Sequence, residues 1–303
     1  MLTGKTISPK QGERYYAQDN YYSRDEVQAN SQWLGEGAEQ LGLSGPVDRS
    51  SFENLLHGYL PDGEAFRAAP NHSERHQRGG LDCTYSAPKS VSVAALAQGE
   101  GDLAEAHQDA IAASLQVMEE RYAQVQQRSP DGTRQTERTR NLTVAQFAHD
   151  ASREKDPHLH THCVVLNATQ NQRGNWRALD NSAIYRHKKL LGTIYQNELA
   201  RQAQRLGYSI ERRPHGQFEL RGPSNEQRMA LSKRRQQILQ QANSANWAER
   251  ERAWTLTRRP KGGAQSRDTL AQHWQQELQR LQIAPPQPER SDGGASDRGR
   301  SLQ

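Results

Sequence analysis

The sequence predicts a mixed α+β fold organised around an antiparallel strand pair, on three observations. Residues 142–147 and 158–166 are alternating or β-branched and are separated by a polar stretch at 150–157, the pattern of two strands joined as a hairpin. Residues 102–128 carry the clearest helical periodicity, stopped by Pro130-Asp131-Gly132, and helical patterns recur at 181–206, 224–256 and 266–283. The 303 residues are 33% hydrophobic and 25% charged, a composition that folds a core but leaves a strongly polar surface.

Taken in order, Met1 to Ile7 reads as a short strand. Ser8-Pro9-Lys10-Gln11 supplies an N-cap, a proline at the first helical position and a capping-box partner, so a helix begins there. A second capping box, Ser23 to Glu26, predicts a helix with Val27, Leu34, Ala38 and Leu41 on one face before Gly42. Residues 50–60 read as helix and 61–80 as loop. Leu81 to Ser86 has strand character, and Pro88 permits a helix through Leu96. Beyond the strand pair and the helix at 181–206 comes a short hairpin, Tyr208 to Glu211 and Gln217 to Leu220, turned at Pro214-His215-Gly216. The later helical stretches are Arg- and Gln-rich, and from Pro285 onward Pro, Gly, Ser and charge predict a disordered tail.

No apolar run approaches the ~20 residues of a membrane-spanning helix, and the first residues hold no hydrophobic signal region. Two cysteines, Cys83 and Cys163, are too few for a disulfide scaffold and form no CxxC zinc motif. A reducing cytoplasm is the expected compartment. Residues 201–303 carry 19 Lys+Arg against 10 Asp+Glu, while residues 1–200 carry 21 against 25. A basic C-terminal third points to a polyanion, most often nucleic acid.

His158, His160 and His162 lie in a His-Leu-His-Thr-His run, and a strand's period of two puts all three on one face. His149, on the preceding strand, comes beside the 160/162 pair if the polar stretch is a hairpin, giving three ligands for a divalent cation with positions left for a substrate oxygen. A His-rich surface strand is the plainer alternative for a lone His-x-His, but four of the eleven histidines fall within these fourteen residues. Cys163 is out of phase and should pack inward. All-imidazole ligation brings no negative charge, which favours an anion such as phosphate as the next ligand.

Tyr15, Tyr16, Tyr21 and Tyr22 form two adjacent pairs within eight residues. Core packing on a helix would space them three or four apart, so adjacency leaves some exposed. A free phenol has a pKa near ~10, leaving about one in a thousand ionised at neutral pH, so a phenol nucleophile needs a neighbouring base or cation. Asp82 stands just before the helix start at Ser86-Ala87-Pro88-Lys89 and is a candidate to receive or orient the phenol proton. The amides of that helix start also suit a phosphate.

Tyr15-Tyr16 and Tyr21-Tyr22, LDCTYSAPKSVS at 81–92, FAHDASREKDPHLHTHCVVLN at 147–167 and GNWRALDN at 174–181 together resemble the MobF conjugative relaxases of the TrwC/TraI type. The resemblance covers roughly residues 1–285. It implies an HUH-endonuclease α/β sandwich on a central antiparallel sheet with flanking helices, and C-terminal helices that close over DNA. It implies an enzyme that nicks one strand at the nic site of a plasmid transfer origin through a covalent 5′-phosphotyrosine and is carried into the recipient cell. Tyr15 matches the primary nucleophile and Tyr21 the tyrosine of the closing transfer, with Tyr16 and Tyr22 less defined. His149, His160 and His162 match the metal ligands, His158 being extra, and Asp82 matches the aspartate beside the nucleophile. The metal, among magnesium, manganese, zinc, nickel and copper, is open.

The expected organisation is a catalytic core at 1–223, a helical DNA-embracing extension of the same domain at 224–284, and a tail or linker at 285–303. Lys89, Trp176, Arg177, Lys233, Arg234, Arg235, Arg258, Arg259 and Lys261 are candidates for contact with DNA, and Trp176 or Trp247 for base stacking. The expected partners are single-stranded and hairpin DNA at the transfer origin, relaxosome accessory proteins and a coupling protein, without membrane insertion. Full-length relatives usually continue into a helicase, yet no GxxxxGK[ST] phosphate loop is present. Two rivals share parts of the pattern. A rolling-circle replication initiator usually places its histidines before its tyrosine, the reverse of this order, and a non-catalytic DNA-binding module leaves both clusters unexplained.

Overall fold

The computed structural model describes residues 1–17, 30–66, 78–129, 132–242, 246–257, 266–284 and 286–288, with the backbone alone at 14–17, 247, 248, 251, 254 and 255. Strand β1 (Leu2–Ile7) leads into helix α1 (Pro9–Ala17), whose start is the expected capping box: the Ser8 amide donates to Gln11 Oε1 at 3.1 Å and the Gln11 amide to Ser8 Oγ at 3.3 Å. Strand β2 (Ser31–Leu34), helices α2 (Glu36–Gln40) and α3 (Arg49–His57), strand β3 (Gly80–Ser86) and helix α4 (Lys89–Ala97) follow. Helix α5 (Gly101–Tyr122) precedes a hairpin of β4 (Gln124–Arg128) and β5 (Arg134–Arg138). Strands β6 (Val144–Ala151) and β7 (Pro157–Leu166) come next, then the two-residue strands β8 (Thr169–Gln170) and β9 (Trp176–Arg177). Helix α6 (Ser182–Arg205), the hairpin β10 (Ile210–Arg212) and β11 (Phe218–Leu220), and helices α7 (Asn225–Ala230), α8 (Lys233–Gln241), α9 (Trp247–Leu256) and α10 (Arg267–Arg280) complete the order.

The central sheet has the order β1-β3-β7-β6-β2, and every pairing in it is antiparallel. Alternation along β7 divides its side chains between two cores. Cys163 and Val165 join α4, α5 and α6 on one face, where Tyr85, Ile111, Leu191 and Tyr195 are buried. Val164 and Leu166 join α2 and α3 on the other face, with Ile7, Trp33, Phe52, Leu56 and Phe147. Helices pack on both faces of the antiparallel sheet, the α+β sandwich that the sequence predicts. A third cluster, Val93, Ala97, Ala151, Leu231, Leu270, Trp274, Leu278 and Ile283, packs the C-terminal helices onto α4 and the end of β6.

Four expectations are corrected. The helix expected over Val27, Leu34, Ala38 and Leu41 is absent from its described portion: Leu34 ends β2 and pairs with Val144, while Ala38 sits on the separate helix α2. Gly35, at φ 93°, breaks the run because the chain passes against the Leu142 carbonyl, and a Cβ there would stand 2.3 Å from that oxygen. Residues 23–29 lie outside the described residues. The helix expected to continue to 128 ends at Tyr122, and 124–128 pairs with 134–138 instead. Partner-strand hydrogen bonds there override the helical propensity of a Gln-rich run. The helical stretch 224–256 is divided, Ser232 (φ −129°, ψ 53°) separating α7 from α8. Of the tail, Pro286–Pro288 are described, Pro286 buried against Gly222, and residues 289–303 lie outside the described residues.

Candidate active site

One face of three adjacent strands carries the chemistry. The register places Asp82 opposite Val164, Thr84 opposite His162 opposite Phe147, and Ser86 opposite His160 opposite His149. The histidines therefore continue the row of Val164 and Leu166, on the sheet face that α3 covers further along. Phe147, edge-on to Phe52 at 5.5 Å, anchors the strand under His149. Cys163 and Cys83, one out of phase, are buried and free on the opposite face.

Asp82 is 9% exposed, and its carboxylate accepts from His162 Nδ1 at 3.0 and 3.1 Å and from the Thr84 hydroxyl at 3.2 Å. His160 Nδ1 donates to the His158 carbonyl at 2.8 Å. Both bonds place the proton on Nδ1 and leave the Nε2 lone pair of each ring for a cation, with a carboxylate orienting His162 and a backbone carbonyl orienting His160. Thr84 was missed in the sequence, although its position two residues after Asp82 puts it on the same strand face. His158 stacks on His160 with centroids 4.5 Å apart, and burial, aided by His160 and Lys89, holds its pKa well below the ordinary value, so it is neutral.

The centroids of His149, His160 and His162 are 5.2, 5.3 and 5.5 Å apart. Three imidazoles bound tetrahedrally at a metal–nitrogen distance of about 2.1 Å have centroids roughly 5 Å apart, so the triangle has the right size for one ion. The His149 and His160 planes are stacked at 22°, however, and as the rings are placed no group of three or more His, Cys, Asp or Glu among the described residues is arranged to hold a metal. Donor set and spacing fit a cation once ring rotation aims the nitrogens at one point.

Tyr15 and Tyr16 fall in the last turns of α1; Tyr21 and Tyr22 lie outside the described residues. Helix α1 rests on α3: a Cβ on Gly12 would stand 2.6 Å from Leu56 Cδ1, and His57 Nε2 meets Glu13 Oε1 at 2.7 Å. Leu56 belongs to the core beneath the histidine face, so the tyrosine-bearing helix is docked on the histidine side of the sheet.

The DNA-contact candidates separate. Lys89 is half-buried, its Nζ donating to the Pro157 carbonyl at 2.7 Å, with burial lowering its pKa to about 8. The start of α4 is likewise taken, since Glu219 accepts from the Ser90 amide at 2.9 Å and from its hydroxyl at 2.5 Å. Lys233 pairs with Glu277 at 3.2 Å, and Arg234 donates to the Thr257 carbonyl at 2.7 Å. Arg177 and Arg235 are exposed and Trp176 is half-buried; Arg258, Arg259 and Lys261 lie outside the described residues.

The model of the family described as TrwC relaxase matches residues 9–281. Multifunctional conjugation protein TraI of Escherichia coli is 37% identical over 279 residues, 88% of this chain. The protein of that name from strain K12 is 39% identical over 222 residues, 70% of this chain. The chain spans 15% and 12% of the lengths of these two relatives. Among solved structures, a copper-bound conjugative relaxase TrwC in complex with oriT DNA aligns with a TM-score of 0.85 and 37% identity, covering 94% of this chain and 99% of that one. TrwC complexed with a 27-mer DNA comprising the recognition hairpin and the cleavage site aligns at 0.80 and 36% identity, with the same coverage. Fold and sequence thus agree, and the chain belongs to the TrwC relaxase family.

Proposed function

We propose that this chain is a metal-dependent tyrosine transesterase that nicks one DNA strand at the nic site of a plasmid transfer origin, retains the 5′ end as a phosphotyrosine and rejoins it to a 3′ hydroxyl. The observation that carries the reading is the single sheet face on which Asp82 backs His162 beside His160 and His149, with helix α1 docked on the same side. Relatives solved with oriT DNA, in copper-bound and metal-free states, support it.

His149, His160 and His162 hold a divalent cation, which when bound draws charge from a non-bridging phosphate oxygen. Asp82 keeps the His162 ring oriented, with Nε2 free for the cation. The Tyr15 oxygen forms a bond to phosphorus, the bond to the 3′ oxygen breaks, and the phenol proton ends on the departing 3′ hydroxyl. Ester exchange conserves one phosphate ester for another, so Tyr21 can repeat the step and a 3′ hydroxyl can reverse it. Residues 224–284 act as an extension of the catalytic domain over single-stranded DNA, with Trp176, Arg177, Arg235, Arg258, Arg259 and Lys261 as contacts. Action belongs to the cytoplasm of donor and recipient cells, with accessory and coupling proteins as partners; no helix of the described residues is long and apolar enough to cross a membrane.

The test is mass spectrometry after incubation with a single-stranded origin oligonucleotide. Tyr15 should carry the 5′ fragment, and Tyr15→Phe should abolish the adduct with little loss of DNA binding, because only the attacking oxygen is removed. An adduct formed at the normal rate by Tyr15→Phe overturns the assignment.

A further inference from the structure

The hairpin that joins the histidine strands is irregular where it should be most exact. His149 pairs with His160 but Ala151 pairs with Pro157, so His158 and Leu159 stand opposite the single residue Asp150, a β-bulge immediately beside the candidate ligand pair His149–His160. In the connecting loop Lys155 holds φ 60°, a left-handed conformation disfavoured for a side chain with a Cβ. Ladder hydrogen bonds alone underdetermine such a segment.

Within the loop Ser152 Oγ accepts from the Glu154 and Asp156 amides at 3.2 and 3.1 Å, and the C-terminal helices add constraints from outside it. Arg267, in the first turn of α10, places Nε 2.7 Å from Asp150 Oδ2, and Asp150 is nearly buried. Trp274, two turns further along the same helix face and 4% exposed, donates its indole N–H to the Lys155 carbonyl at 2.7 Å. The Arg234 amide at the start of α8 points to Asp156 Oδ2 at 3.4 Å. Ala151 itself belongs to the cluster formed with Leu270, Trp274 and Leu278.

We propose that Arg267 is a positioning residue for the metal site: through Asp150 it fixes the bulge next to His149, so the helices expected to embrace DNA also hold a metal ligand in place. The proposal rests on His149, His160 and His162 being the ligands. A guanidinium on a carboxylate one residue from a ligand restrains the backbone that sets the ligand's ring direction, in the way that outer contacts tune metal affinity. It also gives the polar helical extension a reason to be tied to β6 by charge as well as by packing.

The experiment uses the full chain with two readouts. In metal-free protein, hydrogen exchange of the segment 150–157 should quicken in Arg267→Ala. Cobalt(II), followed by its visible absorption on imidazole ligation, should bind about tenfold more weakly to Arg267→Ala, and Arg267→Lys should restore most of the loss. Arg280→Ala, which removes an exposed pair with Glu277 on the same helix, should leave both readouts unchanged. Should Arg267→Ala fold poorly, Asp150→Asn, which keeps the side-chain shape, should weaken cobalt binding similarly. Faster exchange with unchanged cobalt affinity overturns the proposal alone, as does a cobalt loss that Arg280→Ala reproduces in full. A wild-type chain that takes up no cobalt overturns the metal reading along with it.

Discussion

Asp82 and His107 show how single polar groups are used on the two faces of the same strands. Asp82 accepts from His162 Nδ1, so Asp82→Asn removes the charge that fixes the tautomer and should weaken metal binding by about 10- to 100-fold, read by calorimetric titration. Retained affinity would show that His162 needs no carboxylate. Behind the sheet, His107 is fully buried and places Nδ1 2.7 Å from the Tyr195 hydroxyl and Nε2 3.0 Å from Thr161 Oγ1, the residue between His160 and His162. Burial lowers its pKa to about 3, with smaller contributions from neighbouring positive charge. The sign follows from linkage: above the unfolded pKa of about 6.5 neither state binds the proton, and the stability of the neutral form is fully present. As pH falls from about 6.5 towards 3 the unfolded chain alone takes the proton, and stability is lost by up to about 1.4 kcal/mol per pH unit. Urea unfolding at pH 7, 6 and 5 should therefore show a shallower pH slope in His107→Gln than in wild type; equal slopes would mean that the ring titrates normally.

Among the elements, α1 ties sequence to site most directly. Its capping box was legible because the signal is local, four consecutive residues whose hydrogen bonds close on themselves. The close approach of Gly12 to Leu56 was not legible, since it depends on a helix more than thirty residues away. Gly12→Ala sets a methyl against fully buried Leu56, so the gain in helix propensity of about 1 kcal/mol is offset by displacement of α1. The expected result is nicking slowed several-fold with thermal stability changed little; an unchanged rate would detach the tyrosines' placement from this contact. The same distinction explains the other elements. Strands β6 and β7 and their histidine phase were readable from a period of two, whereas β2 and β4 carried an apolar or Gln-rich spacing equally suited to a helix, and only their partners, β6 and β5, decide them. Asp82 was visible as a residue but its partner was not, because His162 reaches it across a strand pairing eighty positions apart.

Across the whole molecule the charge is divided by sequence and joined in space: the excess of basic residues lies after residue 200, while the helices bearing it pack on α4 and β6 of the histidine half. Packing changes which of those cations can reach DNA. Lys233 and Arg234 serve contacts between helices, and deleting residues 224–303 would strip Leu231, Leu270, Trp274 and Leu278 from Val93, Ala97 and Ala151, exposing a core rather than testing a binding surface. Charge removal without truncation is the cleaner measurement. Each phosphate contact on a single strand contributes about 0.7 to the slope of log affinity against log salt, so changing Arg235, Arg258, Arg259 and Lys261 together to Gln should flatten that slope by up to about 3. Affinity at low salt should fall with it, while adduct formation at saturating oligonucleotide stays near the wild-type rate, because none of the four makes or breaks a bond in the proposed mechanism. If slope and affinity are both unchanged in the quadruple variant, these cations form a solvated surface, and the polyanion must be held by the catalytic face itself.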